Sequence, residues 1–216
     1  TFNQVEYGIY TNKDYGNVRG LELKLDYSLN NLFIQTNYTY QFTRGNADNP
    51  AQTFNRQGAS IDEVIRFIPM SWDQRHTFNL SLGYNTALYG ITATGYYNSG
   101  TPYTFSPQGE SNLALLNLYP NNDYKPSNYY ADLSGYVNLP KLFGVSSRLD
   151  FLVYNLTDRY NEYGVSSETG RAYTAVVNET ELLSHRSNFN TYEDRYKDPS
   201  MFSAPRQIKL GLTVLF

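Results

Sequence analysis

The stretch LFIQTNYTYQF at residues 32–42 alternates strictly between two kinds of side chain. Its even positions are mainly apolar or aromatic: Leu32, Ile34, Thr36, Tyr38, Tyr40 and Phe42. Its odd positions are mainly polar: Phe33, Gln35, Asn37, Thr39 and Gln41. A period of two is the pattern of a β-strand with one apolar and one polar face.

The same alternation recurs along the chain, clearly at residues 21–28, 77–85 and 207–216 and more weakly at 89–97, 129–139 and 145–153. A poorly patterned strand is expected at residues 2–10. The sequence therefore predicts about eight antiparallel strands, near residues 2–10, 16–28, 32–44, 72–85, 88–99, 129–139, 145–156 and 205–216. Each is near or above the 9–11 residues with which a tilted strand crosses a bilayer. We expect an all-β, up-and-down transmembrane β-barrel segment that occupies the whole chain, residues 1–216.

The composition fits such a barrel. Hydrophobic residues make up 40% and charged residues 17% of the chain, which holds 22 Tyr and 12 Phe. No run of about 18 apolar residues occurs, so a transmembrane helix is excluded, whereas barrel strands alternate and stay polar on average. The chain has no Cys, and its net charge of −3 offers no basic face for nucleic acid.

The predicted connections alternate in length. Residues 29–31, 85–88 and 139–144 are short turns, and residues 45–71, 100–128 and 157–204 are long; only 11–16 breaks the pattern. Outer-membrane barrels have short periplasmic turns and long extracellular loops. We therefore expect a bacterial outer-membrane location, with extracellular long loops and a periplasmic C-terminus.

Charge predicts which face meets lipid. A Lys or Arg on the lipid face at the bilayer midplane costs about 2–4 kcal/mol. Six charged residues occupy the strand positions that alternate with the apolar ones, so they are expected to face the lumen: Glu22, Lys24, Asp26, Arg148, Asp150 and Lys209. Six tyrosines on the apolar parity are expected to form aromatic girdles, the inner one by Tyr27, Tyr84 and Tyr89 and the outer one by Tyr38, Tyr40 and Tyr97. The alternative is that these tyrosines are ordinary strand formers.

Five stretches resemble parts of the C-terminal barrel of TonB-dependent outer-membrane receptors, especially those of Bacteroidetes-type bacteria. GNVRGLEL at 16–23 resembles the family's RGxE strand, and PMSWDQRH at 69–76 resembles its DxRH segment. NLTDRY at 155–160 resembles the NLxDxxY element, and SETGRAY at 167–173 resembles the segment that often follows it. Residues 205–216 resemble the closing strand. Each motif is weak alone, but their order and spacing are fairly specific.

The resemblance implies a plugged barrel of about 22 strands. Such a receptor imports a scarce nutrient, here a glycan, a peptide or a metal chelate, with energy relayed by the TonB system. The expected partners are outer-membrane lipid, the remaining barrel and its plug, the TonB system and a surface lipoprotein as an open option. Because about eight strands are predicted, we expect the C-terminal part of such a receptor. A complete eight-stranded barrel with a binding or structural role is the alternative.

The last residues carry a further expectation. A final strand that ends in Phe216, with Val214 and Leu212 on the same parity, resembles the signal read by the barrel-assembly machinery. An ordinary amphipathic strand is the alternative, and both interpretations can hold together.

Enzyme chemistry is not expected. His76 and His185 are the only histidines; Asp73 could approach His76, but parity places His76 on the lipid side. Glu193, Asp194 and Asp198 lack calcium-loop spacing, so no metal or other cofactor is expected. The long loops are rich in Tyr, Asn, Asp and Ser, as at residues 121–124 and 188–198, which suits sugars or peptides and equally suits an ordinary solvated loop.

Overall fold

One large antiparallel β-sheet dominates the chain, and a computed structural model describes it over residues 12, 14–49, 51–53, 66–106, 119–173 and 198–215. The strands are β1 (Gly16–Leu29), β2 (Leu32–Gly45), β3 (Ile68–Pro69), β4 (His76–Asn85), β5 (Tyr89–Asn98), β6 (Pro102–Tyr103), β7 (Asp123–Tyr124), β8 (Asn128–Leu142), β9 (Val145–Tyr154) and β10 (Gln207–Leu215). The main sheet has the order β1-β2-β4-β5-β8-β9-β10, with β3 on the end of β2, and β6 pairs with β7. The all-β antiparallel prediction is confirmed. Within the described part of the chain the sheet is open, with β1 and β10 as its edges.

Three strands begin later than predicted: β4 by four residues, β10 by two and β5 by one. The segment before β4 turns instead of extending, because Asp73 N–H donates to the Met70 carbonyl at 2.8 Å. β10 begins at Gln207 rather than 205, since Pro205 has no N–H and the Arg206 N–H donates to Asp158 Oδ1 at 2.9 Å. The strand predicted at 2–10 lies outside the described residues.

The turn predicted at 139–144 is shorter than expected. β8 continues to Leu142, with a register shift between Leu139 and Leu142 that contains Pro140. Proline cannot donate to a ladder and is tolerated at such irregularities. The chain reverses at Phe143 and Gly144, whose φ angles of 50° and 82° fit a two-residue hairpin turn.

Short and long connections lie at opposite ends of the sheet. Residues 30–31, 86–88 and 143–144 join strands at one end, and the long connections begin and end at the other. We name the described part of the long-connection end the loop cap: residues 46–49, 51–53, 66–75, 99–106, 119–127, 155–173 and 198–206. It contains β3, β6, β7 and a 3-10 helix at Pro199–Met201.

No helix in the described ranges is long and apolar enough to cross a membrane.

The strand register keeps the two kinds of side chain on opposite faces. Asp26, Gln35, Ser81, Thr94 and Asp132 form one row across five strands. The adjacent row is Leu25, Thr36, Leu80, Gly95 and Ala131. Directly paired residues point to the same side of a sheet, and neighbours along a strand point to opposite sides. We call the first side the polar face and the second the apolar face.

Burial is concentrated in the loop cap, away from the long strands. The buried hydrophobic side chains of the described residues include Ile68, Met70, Tyr103 and Ala172, all in the cap. In contrast, many large side chains on the apolar face are exposed, for example Leu82 at 40% and Leu210 at 83%. Among the described residues, no second layer packs against the apolar face of the sheet.

Candidate ligand-binding face

The polar face carries two shallow cavities. The first, of about 440 Å³, is lined from β1 to β8 by residues that include Lys24, Gln35, Ser81, Thr94 and Asp132. The second, of about 390 Å³, is lined from β4 to β10.

The six charged residues predicted to face a lumen share the polar face. Lys24 and Asp26 line the first cavity, and Arg148, Asp150 and Lys209 line the second. Glu22 pairs with Thr39 on the same face and lines neither cavity. Lys24 contacts Asp26 at 3.0 Å, and Arg148 contacts Asp150 at 2.7 Å. The structure thus brings these charges onto one side; that this side is a lumen stays a prediction.

Aromatic rings hold the cations of the second cavity in place. The Arg148 guanidinium lies 4.1 Å from the centre of the Tyr136 ring, and the Lys209 ammonium lies 5.0 Å from that of Tyr154. The Tyr136 hydroxyl donates to the Thr86 carbonyl at 2.8 Å. Its ring also covers Gly90, where an added Cβ would approach the ring to 2.3 Å. This cavity therefore offers positive charge beside fixed aromatic surface.

A tyrosine cluster, Tyr96, Tyr130 and Tyr163, joins the polar face to the loop cap. The Tyr96 and Tyr130 ring centres are 4.8 Å apart. The Tyr163 hydroxyl oxygen lies 2.6 Å from that of Tyr130 and 3.4 Å from that of Tyr96. Desolvation raises the pKa of Tyr163, and its hydrogen bonds with Tyr130 and Tyr96 act in the same direction. The Tyr163 phenol is therefore neutral at physiological pH and can stack or hydrogen-bond with a ligand.

Two unsatisfied amide oxygens lie beside the tyrosine cluster. Asn98 and Asn128 pair directly, one row beyond the Tyr96–Tyr130 pair on the same face. Their side-chain oxygens are buried and have no hydrogen-bond partner among the described residues. A buried acceptor without a partner costs about 1–3 kcal/mol, so a donor from a ligand or from water would be favourable here. The rings and hydroxyls of the tyrosine cluster suit a ligand that can stack and hydrogen-bond.

The alternation pattern alone does not single out this cluster. Its signal is the doubled tyrosine, at Tyr96-Tyr97 and again at Tyr129-Tyr130. Because neighbours along a strand point to opposite faces, each pair supplies one ring to the polar face and one to the apolar face. Tyr163 comes from a loop, and no strand pattern indicates its position.

The predicted girdle tyrosines all lie on the apolar face. Tyr27, Tyr84 and Tyr89 lie near the short turns, and Tyr38, Tyr40 and Tyr97 lie nearer the loop cap. His76 joins the second group: its Nδ1 lies 2.8 Å from the Tyr38 hydroxyl, and its ring centre lies 5.0 Å from that of Tyr40. The tyrosines form two bands, as girdles require; that a membrane surface meets each band stays a prediction.

The structure does not pair Asp73 with His76. The fully buried Asp73 carboxylate accepts from the Thr43 N–H at 2.7 Å, Arg75 Nε at 2.8 Å and the Tyr124 hydroxyl at 2.9 Å. Burial alone would lower the pKa of Arg75, but the hydrogen bond and charge of Asp73 hold it above its usual value. Asp73 therefore joins β2, β7 and the start of β4, which is a structural role for the DxRH motif.

The NLTDRY stretch and the Asn161 that follows it join three strands of the main sheet from the loop cap. Asn155, with a φ of 51°, donates to the carbonyls of Arg159 at 2.9 Å and Ala204 at 3.0 Å. Asn161 is fully buried and exchanges two hydrogen bonds with the backbone of Tyr129, at 2.9 and 3.1 Å. The motif thus ties the beginning of β8 and the end of β9 to the segment before β10.

The SETGRAY segment is held by an ion pair. Arg171 Nη2 donates to Glu162 Oε1 at 2.6 Å, and the N–H of the buried Ala172 donates to Oε2 at 2.7 Å. Burial alone would raise the pKa of Glu162, but Arg171 and the Ala172 N–H hold it below its usual value. The Glu162 carboxylate is therefore the anchor of this loop.

The structure describes some of the remaining residues that the sequence analysis singled out, and the others lie outside the described ranges. Leu212 and Val214 lie exposed on the apolar face. Asp198 caps the 3-10 helix by accepting from the Ser200 N–H at 2.9 Å. Phe216, His185, Glu193 and Asp194 lie outside the described residues. Where the structure describes the chain, no group of three His, Cys, Asp or Glu residues could hold a metal ion.

Comparison of the chain with protein-family models, with curated proteins and with solved structures finds no match. The resemblance to TonB-dependent receptors is therefore carried by the motifs of this sequence alone.

Proposed function

We propose that this chain is the C-terminal part of a TonB-dependent outer-membrane transporter, which imports a scarce nutrient along its polar face. The single observation that carries the proposal is the apolar face of the sheet. Leu23, Leu82, Ile91, Leu149 and Leu212 come from five different strands, and all are exposed on it. Soluble monomers rarely expose apolar patches larger than a few hundred Å². In a membrane, lipid covers the apolar face of a sheet whose two faces alternate in this way.

Two further observations support the orientation and the ligand side. The three short turns lie at one end of the sheet and the long connections at the other, as in outer-membrane barrels. The polar face combines ion pairs, stacked cations and the tyrosine cluster. The nutrient class stays open among glycans, peptides and metal chelates.

Cysteine labelling tests the orientation, because the chain has no Cys of its own. Tyr160→Cys lies in the loop cap, at a position 55% exposed, and Phe143→Cys lies at a short turn, at a position 97% exposed. In intact cells we expect a membrane-impermeant maleimide to label Tyr160→Cys only. Both variants should react once the outer membrane is permeabilised, and the unsubstituted protein serves as the blank. Labelling of Phe143→Cys in intact cells would overturn the orientation.

A complete eight-stranded barrel is the alternative. It would need one more strand between β10 and β1, for which the strand predicted at 2–10 is the candidate. The mass of the polypeptide purified from native membranes separates the two proposals. A species several times heavier than 24.8 kDa supports the receptor, and one near 24.8 kDa supports the small barrel.

A further inference from the structure

A third cavity lies on the apolar face, where β1 and β2 approach the loop cap. It has a volume of about 650 Å³, and its lining includes Asn17, Arg19, Leu21, Tyr40, Phe42 and Arg44. Arg19 pairs with Phe42, and Asn17 pairs with Arg44, in register with the Leu21–Tyr40 pair. The two arginines therefore share the face of the exposed leucines rather than the polar face. We name this cavity the arginine pocket.

The described residues that line the arginine pocket include two arginines and no carboxylate. Glu22, on the same strand as Arg19, lies on the opposite face. Asp14 instead accepts from Asn46 and Thr53, at 3.3 and 2.6 Å. Asp48, in the loop after Arg44, accepts from Asn121 Nδ2 and from the Ser71 N–H.

The two guanidinium groups have no ion pair with any described residue. Arg19 Nε donates to Asn17 Oδ1 at 2.8 Å, and this hydrogen bond holds the Arg19 guanidinium at the pocket wall. Arg44 lies two residues from Phe42, the direct partner of Arg19. Such diagonal neighbours on one face have Cα atoms about 7–8 Å apart, within reach of long side chains. Both guanidiniums can therefore contact a single anion.

The surroundings of the arginine pocket identify the kind of anion. Beyond the Leu21–Tyr40 pair, the same face continues with Leu23 and Leu25, which are 55% and 54% exposed. A ligand that fits both parts carries a compact anion and apolar chains. Guanidinium groups bind phosphate oxygens in a bidentate manner, and basic pockets beside membrane-spanning segments bind lipid headgroups.

We infer that the arginine pocket binds the phosphoryl headgroup of an anionic lipid in the outer leaflet, with the acyl chains lying on the apolar face of β1 and β2. The inference rests on the proposed membrane location. Arg19 and Arg44 hold the phosphoryl oxygens, and Phe42, Tyr40 and Leu21 contact the beginning of the acyl chains. The outer end of β1 is thereby anchored at the headgroup level.

The test compares lipid binding by the full-length protein and its Arg19→Gln/Arg44→Gln variant. The probes are phosphatidylethanolamine vesicles without addition, with lipid A, or with lipid A from which the phosphates have been removed. Lys125→Gln/Lys141→Gln is the matched control, because it removes the same charge away from the pocket. Arg19→Lys/Arg44→Lys keeps the charge and separates its loss from a folding defect. Native mass spectrometry of protein extracted from each vesicle type measures the bound lipid.

We expect the Gln variant to hold phosphorylated lipid A about tenfold more weakly than the unchanged protein, since it loses two charge-assisted contacts. Lys125→Gln/Lys141→Gln should bind lipid A as the unchanged protein does. Arg19→Lys/Arg44→Lys should retain part of the binding. Lipid A without its phosphates should bind weakly to every variant. Equal retention of lipid A by the Gln variant would overturn the inference, as would full competition by inorganic phosphate, which would indicate a soluble anion. Failure of the protein to insert into any vesicle would instead overturn the membrane proposal.

Discussion

The loop cap and the sheet differ in where their side chains lie. The cap holds the buried polar residues Asp73, Asn121, Asn155, Asn161 and Ser203, whereas β1 and β10 are exposed along their described lengths. The cap is held by hydrogen bonds between side chains and backbone from distant parts of the chain. The sheet is held by its backbone ladder, and its side chains need a medium on each side, water at one face and, in our proposal, lipid at the other. The same chain thus uses two different sources of stability.

The largest expected effect contrasts an ion pair of the cap with one of the sheet. Asp73→Ala leaves the mostly buried Arg75 and the Thr43 N–H without their acceptor, and breaking a buried pair costs about 3–5 kcal/mol. Asp150→Ala breaks an exposed pair, which is worth at most about 1 kcal/mol. Urea unfolding of the protein in detergent measures both free energies of unfolding. Asp73→Asn, which keeps an acceptor, should lose less than Asp73→Ala. Equal destabilisation by Asp73→Ala and Asp150→Ala would remove the distinction between the two regions.

A second prediction contrasts the two faces of the sheet. Leu82→Lys places a cation on the apolar face, and its neighbour Ser81→Lys places one on the polar face. In a bilayer the first costs about 2–4 kcal/mol near the midplane. The second remains in a hydrated, polar setting and should cost little. The free energy of unfolding from phospholipid vesicles measures this difference. Equal costs for the two variants would mean that water covers both faces.

The smallest expected effect concerns the pH dependence of the cap. The folded-state pKa of Glu162 lies below its ordinary value of 4.5, so its contribution to stability is present above 4.5 and is lost as the pH falls through the folded pKa. Because Arg171 is half exposed, the effect is on the order of 1 kcal/mol. Melting temperatures measured across the acid range should fall less steeply for Glu162→Gln than for the unchanged protein. Identical pH profiles would show that the Glu162–Arg171 pair does not stabilise the folded cap.

Much of the sheet is predictable because alternation is a local property. The spacing of Leu21, Leu23 and Leu25 identifies one face of β1, and the opposite parity of Lys24 and Asp26 identifies the other. The short turns follow from local residues in the same way. Some errors have a local cause, such as the turn from Met70 to Asp73 before β4. Others lie where a distant group intervenes, as at Asp158, which binds the Arg206 N–H before β10 begins.

The cap could not be predicted in this way. Asn121 reaches Asp48 across 73 residues, and Tyr124 reaches Asp73 across 51. Such contacts depend on the path of the intervening chain, and the alternation of apolar and polar residues does not predict that path. The DxRH and NLxDxxY motifs mark the residues involved, but the sequence does not reveal their partners.

By itself the sequence determined the two-faced strands, the alternation of short and long connections, and the parity that collects Lys24, Asp26, Arg148, Asp150 and Lys209 on one side. Only the tertiary structure decided that Tyr163 meets Tyr96 and Tyr130, that the side-chain oxygens of Asn98 and Asn128 are buried beside them, and that Arg19 and Arg44 line one pocket. The physical reason is the range of the interactions involved. A backbone period acts between neighbours along the chain, whereas these sites depend on which strands lie side by side and in which register.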